Sequence, residues 1–177
     1  MNIAVYLGST TGNNPMYADA AAALGDWIGT NHHTLVYGGA GVGTMKILAD
    51  HVRQNQGYLI GVMPRFMIEM GRGYNDLDEQ IQTDTMSERK AKMIELGDAF
   101  IAMPGGPGTL EEISEVISLI RLRQKNAQCI LLNLDGYYDD LMRQFQKMIS
   151  AGFLMESDYQ LIHFADTLEE AEQLLSA

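Results

Sequence analysis

At 177 residues the chain is long enough for a sizeable core, and a single domain over residues 1–177 is expected. A net charge of -11 excludes recognition of nucleic acid through a broad basic face. A lone cysteine, Cys129, excludes a disulfide framework, and no apolar run reaches membrane-spanning length.

The N-terminus runs straight into apolar residues with no signal-peptide pattern, so a reducing, cytoplasmic setting is expected. Residues 2–7 read as the first strand, followed by the flexible loop Gly8-Ser9-Thr10-Thr11-Gly12. Gly8 and Ser9, at the end of that strand, are candidate substrate contacts. Asn14 caps a helix whose first position is Pro15, and Ala18, Ala21, Ala22, Leu24 and Ile28 form its packing face.

Residues 34–37 form the second strand and run into Gly38-Gly39-Ala40-Gly41-Val42-Gly43-Thr44 before another helix. A dinucleotide fingerprint fails here, because position 44 is not glycine and no acidic residue closes the next strand. A P-loop fails too, because Thr44 stands where lysine is needed. The turn still suits close ligand approach, with Gly39 as the candidate contact.

Residues 58–63 make a third strand, ended by Pro64. From 65 to 78 the pattern breaks up around Gly71 and Gly73, which predicts a loop acting as a lid, with Glu69 as its substrate contact. Residues 80–83 read as a short strand. Ser87 is then expected to cap a helix that carries Arg89 and Lys90 in its first turn. Cations there oppose the helix dipole, which suggests an anionic ligand or a carboxylate partner.

The apolar run 99–103 reads as a buried parallel strand. It leads into Pro104-Gly105-Gly106-Pro107-Gly108-Thr109-Leu110-Glu111-Glu112, and then Ile113, Val116, Ile117 and Ile120 mark one helix face. Glycines at a strand-to-helix turn let backbone N–H groups approach an anion, and the helix N-terminus adds positive potential, so a phosphate is the expected guest. Glu112 does not suit that guest. It reads as the third-position partner of a Thr109 capping box, which does not exclude a second role as an acid beside a phosphate-bound sugar.

Residues 128–133 form a strand, 137–149 a helix stopped by Gly152, 161–164 a last strand, and Thr167 caps the final helix. Strands and helices alternate throughout. The fold class expected is α/β, a Rossmann-like doubly wound parallel sheet with helices on both faces. Right-handed crossovers would bring Gly8, Gly39 and Gly105 to one sheet edge. The four histidines lack metal-ligand spacing, so no metal is expected. Met63, Met67, Met86 and Met103 fall near the site loops and could line an adaptable apolar pocket.

Ser87-Glu88-Arg89-Lys90 and, fourteen residues after Lys90, the turn from Pro104 to Glu112 resemble the paired motif of the Lonely Guy (LOG) family. Gly8-Ser9, Tyr37-Gly38-Gly39 and Gly43-x-Met45 resemble its first two loops. Ser87, Ala40 and Lys46 depart from that pattern, standing where histidine and glycines are common.

The resemblance implies a Rossmann-like homodimer that hydrolyses the N-glycosidic bond of an adenosine 5′-monophosphate, often N6-modified. It implies Arg89 and Glu112 as the catalytic pair, with Lys90, Gly106, Gly108, Thr109 and Ser118 at substrate-binding positions and no cofactor. No lysine fits a pyridoxal Schiff-base motif, so a decarboxylase is not expected. The alternative is a non-hydrolytic carrier of a nucleotide or phosphorylated cofactor, using the same cradle.

Overall fold

The computed structural model describes residues 1–176. Among them, seven parallel strands form one sheet, flanked by eight helices. The strands are β1 (Asn2–Tyr6), β2 (Thr34–Tyr37), β3 (Tyr58–Pro64), β4 (Glu79–Thr83), β5 (Ala99–Ala102), β6 (Gln128–Leu132) and β7 (His163–Ala165). The helices are α1 (Pro15–Thr30), α2 (Gly43–Gln54), α3 (Arg65–Glu69), α4 (Met86–Leu96), α5 (Pro107–Arg121), α6 (Asp139–Ser150), α7 (Glu156–Tyr159) and α8 (Leu168–Ser176).

Strand order is β4-β3-β2-β1-β5-β6-β7. The chain winds outward from β1 in one direction, then returns to β5 on the other side of β1 and winds the other way. The crevice past the ends of β1 and β5 is therefore the switch point, where sheets of this kind receive ligands. Gly8 follows β1 and Gly105 follows β5, so the topology puts them side by side.

The central strands are apolar on both faces because both faces are covered. Ile3, Val5, Leu35 and Ile101 pack with α1, α2 and α8. Ala4, Tyr6, Val36 and Phe100 pack with α4, α5 and α6. Asn14 caps α1 as expected, its side chain accepting from the Met16 N–H at 3.0 Å. The buried face of α1 is Ala21, Leu24, Gly25, Ile28 and Gly29, whereas Ala18 and Ala22 are only half-buried. The two glycines matter because a Cβ on Gly29 would meet the Asn55 Cβ at 2.6 Å, which sets how closely α1 and α2 approach.

Three local expectations need correction. The cap of α4 is Thr85, not Ser87: its hydroxyl accepts from the Glu88 N–H, and Glu88 reaches back to the Thr85 N–H. That box starts the helix two residues earlier, so Arg89 and Lys90 lie past the first turn and the dipole argument does not apply to them. The proposed lid, 65–78, is not a free loop. It opens with α3, and Gly73 bridges to Ala40. Tyr74 donates its N–H to the Gly39 carbonyl and its hydroxyl to Asp50, while Arg53 grips Asp76 and Asp78. Finally, α6 begins at Asp139 after a short 3-10 turn, and α7 was not anticipated.

Candidate active site

The turn after β5 is built by its own residues. Pro107 occupies the first position of α5, where a missing N–H costs nothing and its fixed φ suits a helix. Gly106 is the N-cap and supplies no side chain. The N–H groups of Gly106, Gly108 and Thr109 have no acceptor among the described residues. Orphan donors of this kind, at the positive end of a 15-residue helix, are suited to an anion. Gly105 must be glycine, since a Cβ there would lie 2.2 Å from Thr109 Oγ1 and 3.1 Å from the Gly8 nitrogen.

The first-strand loop is held against this turn from the other side. The buried Thr44 hydroxyl donates to the Gly8 carbonyl at 2.7 Å, and Gly43 packs on the Ser9 backbone so tightly that a Cβ would come within 2.4 Å. Walker-like spacing around Thr44 thus serves loop packing, with threonine in a structural role.

Arg89 and Glu112 face each other across this turn. Arg89 Nη1 donates to Glu112 Oε1 at 2.5 Å, and Arg89 Nε donates to the Val62 carbonyl at 3.1 Å. The two residues are 7% and 8% exposed, so this is a buried pair at the floor of a cleft. Glu112 makes no other hydrogen bond among the described residues. Burial pushes its carboxyl above the ordinary range, and the Arg89 guanidinium pulls it back. Gly38 makes room for the guanidinium, since a Cβ there would sit 2.3 Å from Arg89 Nη2.

The capping-box reading of Thr109 and Glu112 does not hold. Because α5 starts at Pro107, Thr109 is at its third position and Glu112 at its sixth, where no cap can form.

The cleft above this pair has a volume of about 290 Å3. Gly8, Ser9, Gly106, Gly108 and Thr109 line it, together with Met45, Met67 and Met86. Met63 and Met103, also expected near the site, are buried in the core. Lys90 reaches the rim, but its ammonium lies 2.8 Å from Glu111 and 3.1 Å from Glu115, which raise its pKa and keep it charged.

Four expected contacts lie off the cleft, and the first, Gly105, lines only the neighbouring cavities. Gly39 packs its Cα side against Gly61 of β3. Glu69 is exposed at the end of α3, where Met67 two residues earlier is the cleft-lining residue. Ser118 is exposed on α5 and spends its hydroxyl on the Ser114 carbonyl. Two residues that sequence reasoning missed brace the turn from behind. The Tyr137 hydroxyl donates to the Gly105 carbonyl at 2.5 Å, and the Tyr138 hydroxyl donates to the Met103 carbonyl at 2.8 Å. Both contacts span more than thirty residues, so no local signal could have shown them.

Among the described residues no cluster of three or more His, Cys, Asp or Glu could hold a metal ion, and no helix is long and apolar enough to cross a membrane.

A family model described as "Possible lysine decarboxylase" matches residues 45–175. The chain is 36% identical over 175 residues to cytokinin riboside 5′-monophosphate phosphoribohydrolase LOG5 of Arabidopsis thaliana, covering 99% of this chain and 77% of that protein. It is 39% identical over 159 residues to a probable enzyme of the same name, LOGL9, from Oryza sativa subsp. japonica, covering 90% and 70%. Among solved structures it is similar to the molybdenum cofactor carrier protein of Chlamydomonas reinhardtii, with a TM-score of 0.73 and 22% identity over 99% of this chain and 98% of that one. That last likeness is one of fold.

Proposed function

The chain belongs to the Lonely Guy (LOG) family, and on that premise we propose that it hydrolyses the N-glycosidic bond of an adenosine 5′-monophosphate, plain or N6-modified. The products are the free base and ribose 5-phosphate. The observation that carries this reading is the buried Arg89–Glu112 pair beside the unpartnered N–H groups of the α5 turn.

The 5′-phosphate takes the N–H groups of Gly106, Gly108 and Thr109, with Gly8 and Ser9 closing over the ribose. Fixing the phosphate there sets the distance from C1′ to the floor of the cleft, so binding energy is used to orient the reacting carbon. As the bond from C1′ to the base nitrogen breaks, its electron pair leaves with the base and the sugar gains positive charge. The Glu112 carboxylate offsets that charge and orients the water that bonds to C1′, accepting its proton; a proton then reaches the departing base nitrogen through solvent, and Glu112 returns to its carboxylate form. Arg89 stays protonated at any working pH, so it is no acid here. It holds Glu112 in place and favours its ionised form. The three methionines offer an apolar, deformable wall to the base.

A Schiff-base lysine must lose its proton. Lys90, held charged between Glu111 and Glu115, is the opposite of that, which argues against decarboxylation. The same reading carries a cytoplasmic homodimer, needing no metal or cofactor and binding no nucleic acid. Exposed Leu122, Phe153 and Met155 are surface of the sort a second copy covers.

The test is incubation with adenosine monophosphate and its N6-isopentenyl analogue, with chromatography of the products. Free base and ribose 5-phosphate in equal amounts are expected. Tight nucleotide binding with no base released would favour the carrier reading instead.

A further inference from the structure

Tyr137 belongs neither to the glycine turn nor to the buried ion pair, yet it controls one peptide of the turn. Its hydroxyl donates to the Gly105 carbonyl, so that carbonyl points towards Tyr137. In a trans peptide the C=O and the following N–H point in opposite directions. No peptide among the described residues is cis. The Gly106 N–H therefore points away from Tyr137. Gly106 lines the cleft above Arg89 and Glu112, and Tyr137 does not. Tyr137 instead lines an adjoining cavity of about 280 Å3, together with Tyr17, and Gly8, Ser9 and Gly106 line both.

We propose that Tyr137 is a positioning residue for the anion cradle, holding the Gly105–Gly106 peptide so that its N–H faces the cleft. The peptide needs such a hold. Both its residues are glycine, Gly105 by necessity, and glycine backbones turn with little resistance.

Tyr137 is itself well braced. Its ring meets Tyr138 edge-on at 5.0 Å and Tyr17 edge-on at 5.8 Å. Tyr138 is tied through its N–H to Asn133 Oδ1 at 2.6 Å, and the Asn133 amide donates to Asp139 and Asp166. Asp135 and Gly136, with φ of 53° and 70°, reverse the chain after β6 and deliver the tyrosine to this position. The hydroxyl thus transmits the geometry of the β6–α6 connection to the β5–α5 turn.

The inference rests on the hydrolase reading only for where the phosphate sits, and the test separates the two. Wild type, Tyr137→Phe and Tyr17→Phe are compared for binding of inorganic phosphate and ribose 5-phosphate, for KM and kcat on adenosine monophosphate, and for melting temperature. The Tyr17 hydroxyl has no partner among the described residues, so its removal is the control. Tyr137→Phe should weaken phosphate about fivefold and raise KM by a similar factor, the loss expected for one hydrogen bond. Its kcat should stay within about twofold, since the reacting groups are untouched. Unchanged phosphate affinity in Tyr137→Phe overturns the proposal. So does a loss that Tyr17→Phe reproduces, or one in which kcat and melting temperature fall together. If no nucleotide is hydrolysed, the hydrolase reading falls, and the phosphate measurements still decide the role of Tyr137. Wild type that binds neither phosphate nor ribose 5-phosphate overturns both.

Discussion

Arg89 and Glu112 are 23 residues apart in the chain and joined at 2.5 Å in space, nearly closed off from solvent. A pair like this is a poor way to gain stability, because desolvating both charges offsets much of their attraction. Its position at the floor of a cleft, under unpartnered backbone donors, is the arrangement a charged intermediate would use.

Glu112→Gln keeps an acceptor for Arg89 but leaves the guanidinium without a counter-charge. Turnover should fall at least about a hundredfold, as for removal of one positioned charge. Stability should fall by about 1–3 kcal/mol, read from denaturant unfolding. Had Glu112 been a capping residue, glutamine would have preserved stability. Wild-type turnover in this variant would remove Glu112 from the chemistry.

Gly38→Ala tests the arginine without touching the ligand. The new methyl would lie 2.3 Å from Arg89 Nη2, so the guanidinium must move. An activity loss of about tenfold or more is expected, with phosphate affinity close to wild type. Gly108→Ala should do the reverse. No atom lies within 4 Å of its added Cβ, so the fold should persist while phosphate binding weakens in a titration.

The pH dependence follows from the raised carboxyl of Glu112, which burial lifts above its ordinary 4.5 against the pull of Arg89. If the ionised form works, the acid limb of kcat/KM should lie above 4.5. Arg89→Ala should move whatever activity remains to still higher pH, because the opposing charge is gone. For stability the sign is opposite to that of a salt-bridged acid on the surface. Between the unfolded and the raised folded value, folded Glu112 holds a proton that the unfolded chain has released, so its contribution favours folding at low pH and fades as pH rises through the folded value. A Glu112→Gln variant should lose that component of the pH-dependent unfolding free energy.

The architecture was legible because it is written locally. Apolar runs alternate with helical faces, and glycines stand at the strand ends, so the sheet and the meeting of Gly8 with Gly105 could be expected. Helix starts were less legible. Thr85-x-x-Glu88 and Thr109-x-x-Glu112 share one pattern, and only the first is a cap. Pro107 was the available signal, since a proline at the first helical position puts Thr109 too far in to cap. The strap of Tyr74 and Arg53 over residues expected to form a lid, and the Tyr137 brace, depend on long-range contacts that no window of sequence contains. Arg89 and Glu112 were named through a family resemblance; their contact is tertiary and invisible to periodicity.

The most direct measurement is a crystal structure of the Glu112→Gln variant with adenosine monophosphate bound and uncleaved. The account predicts the phosphate on the N–H groups of Gly106, Gly108 and Thr109, with C1′ within about 4 Å of the residue 112 carboxamide, the range in which a positioned group acts on a reacting carbon. A phosphate seated instead against Thr10, Thr11 and Tyr17, with C1′ remote from residue 112, would contradict it.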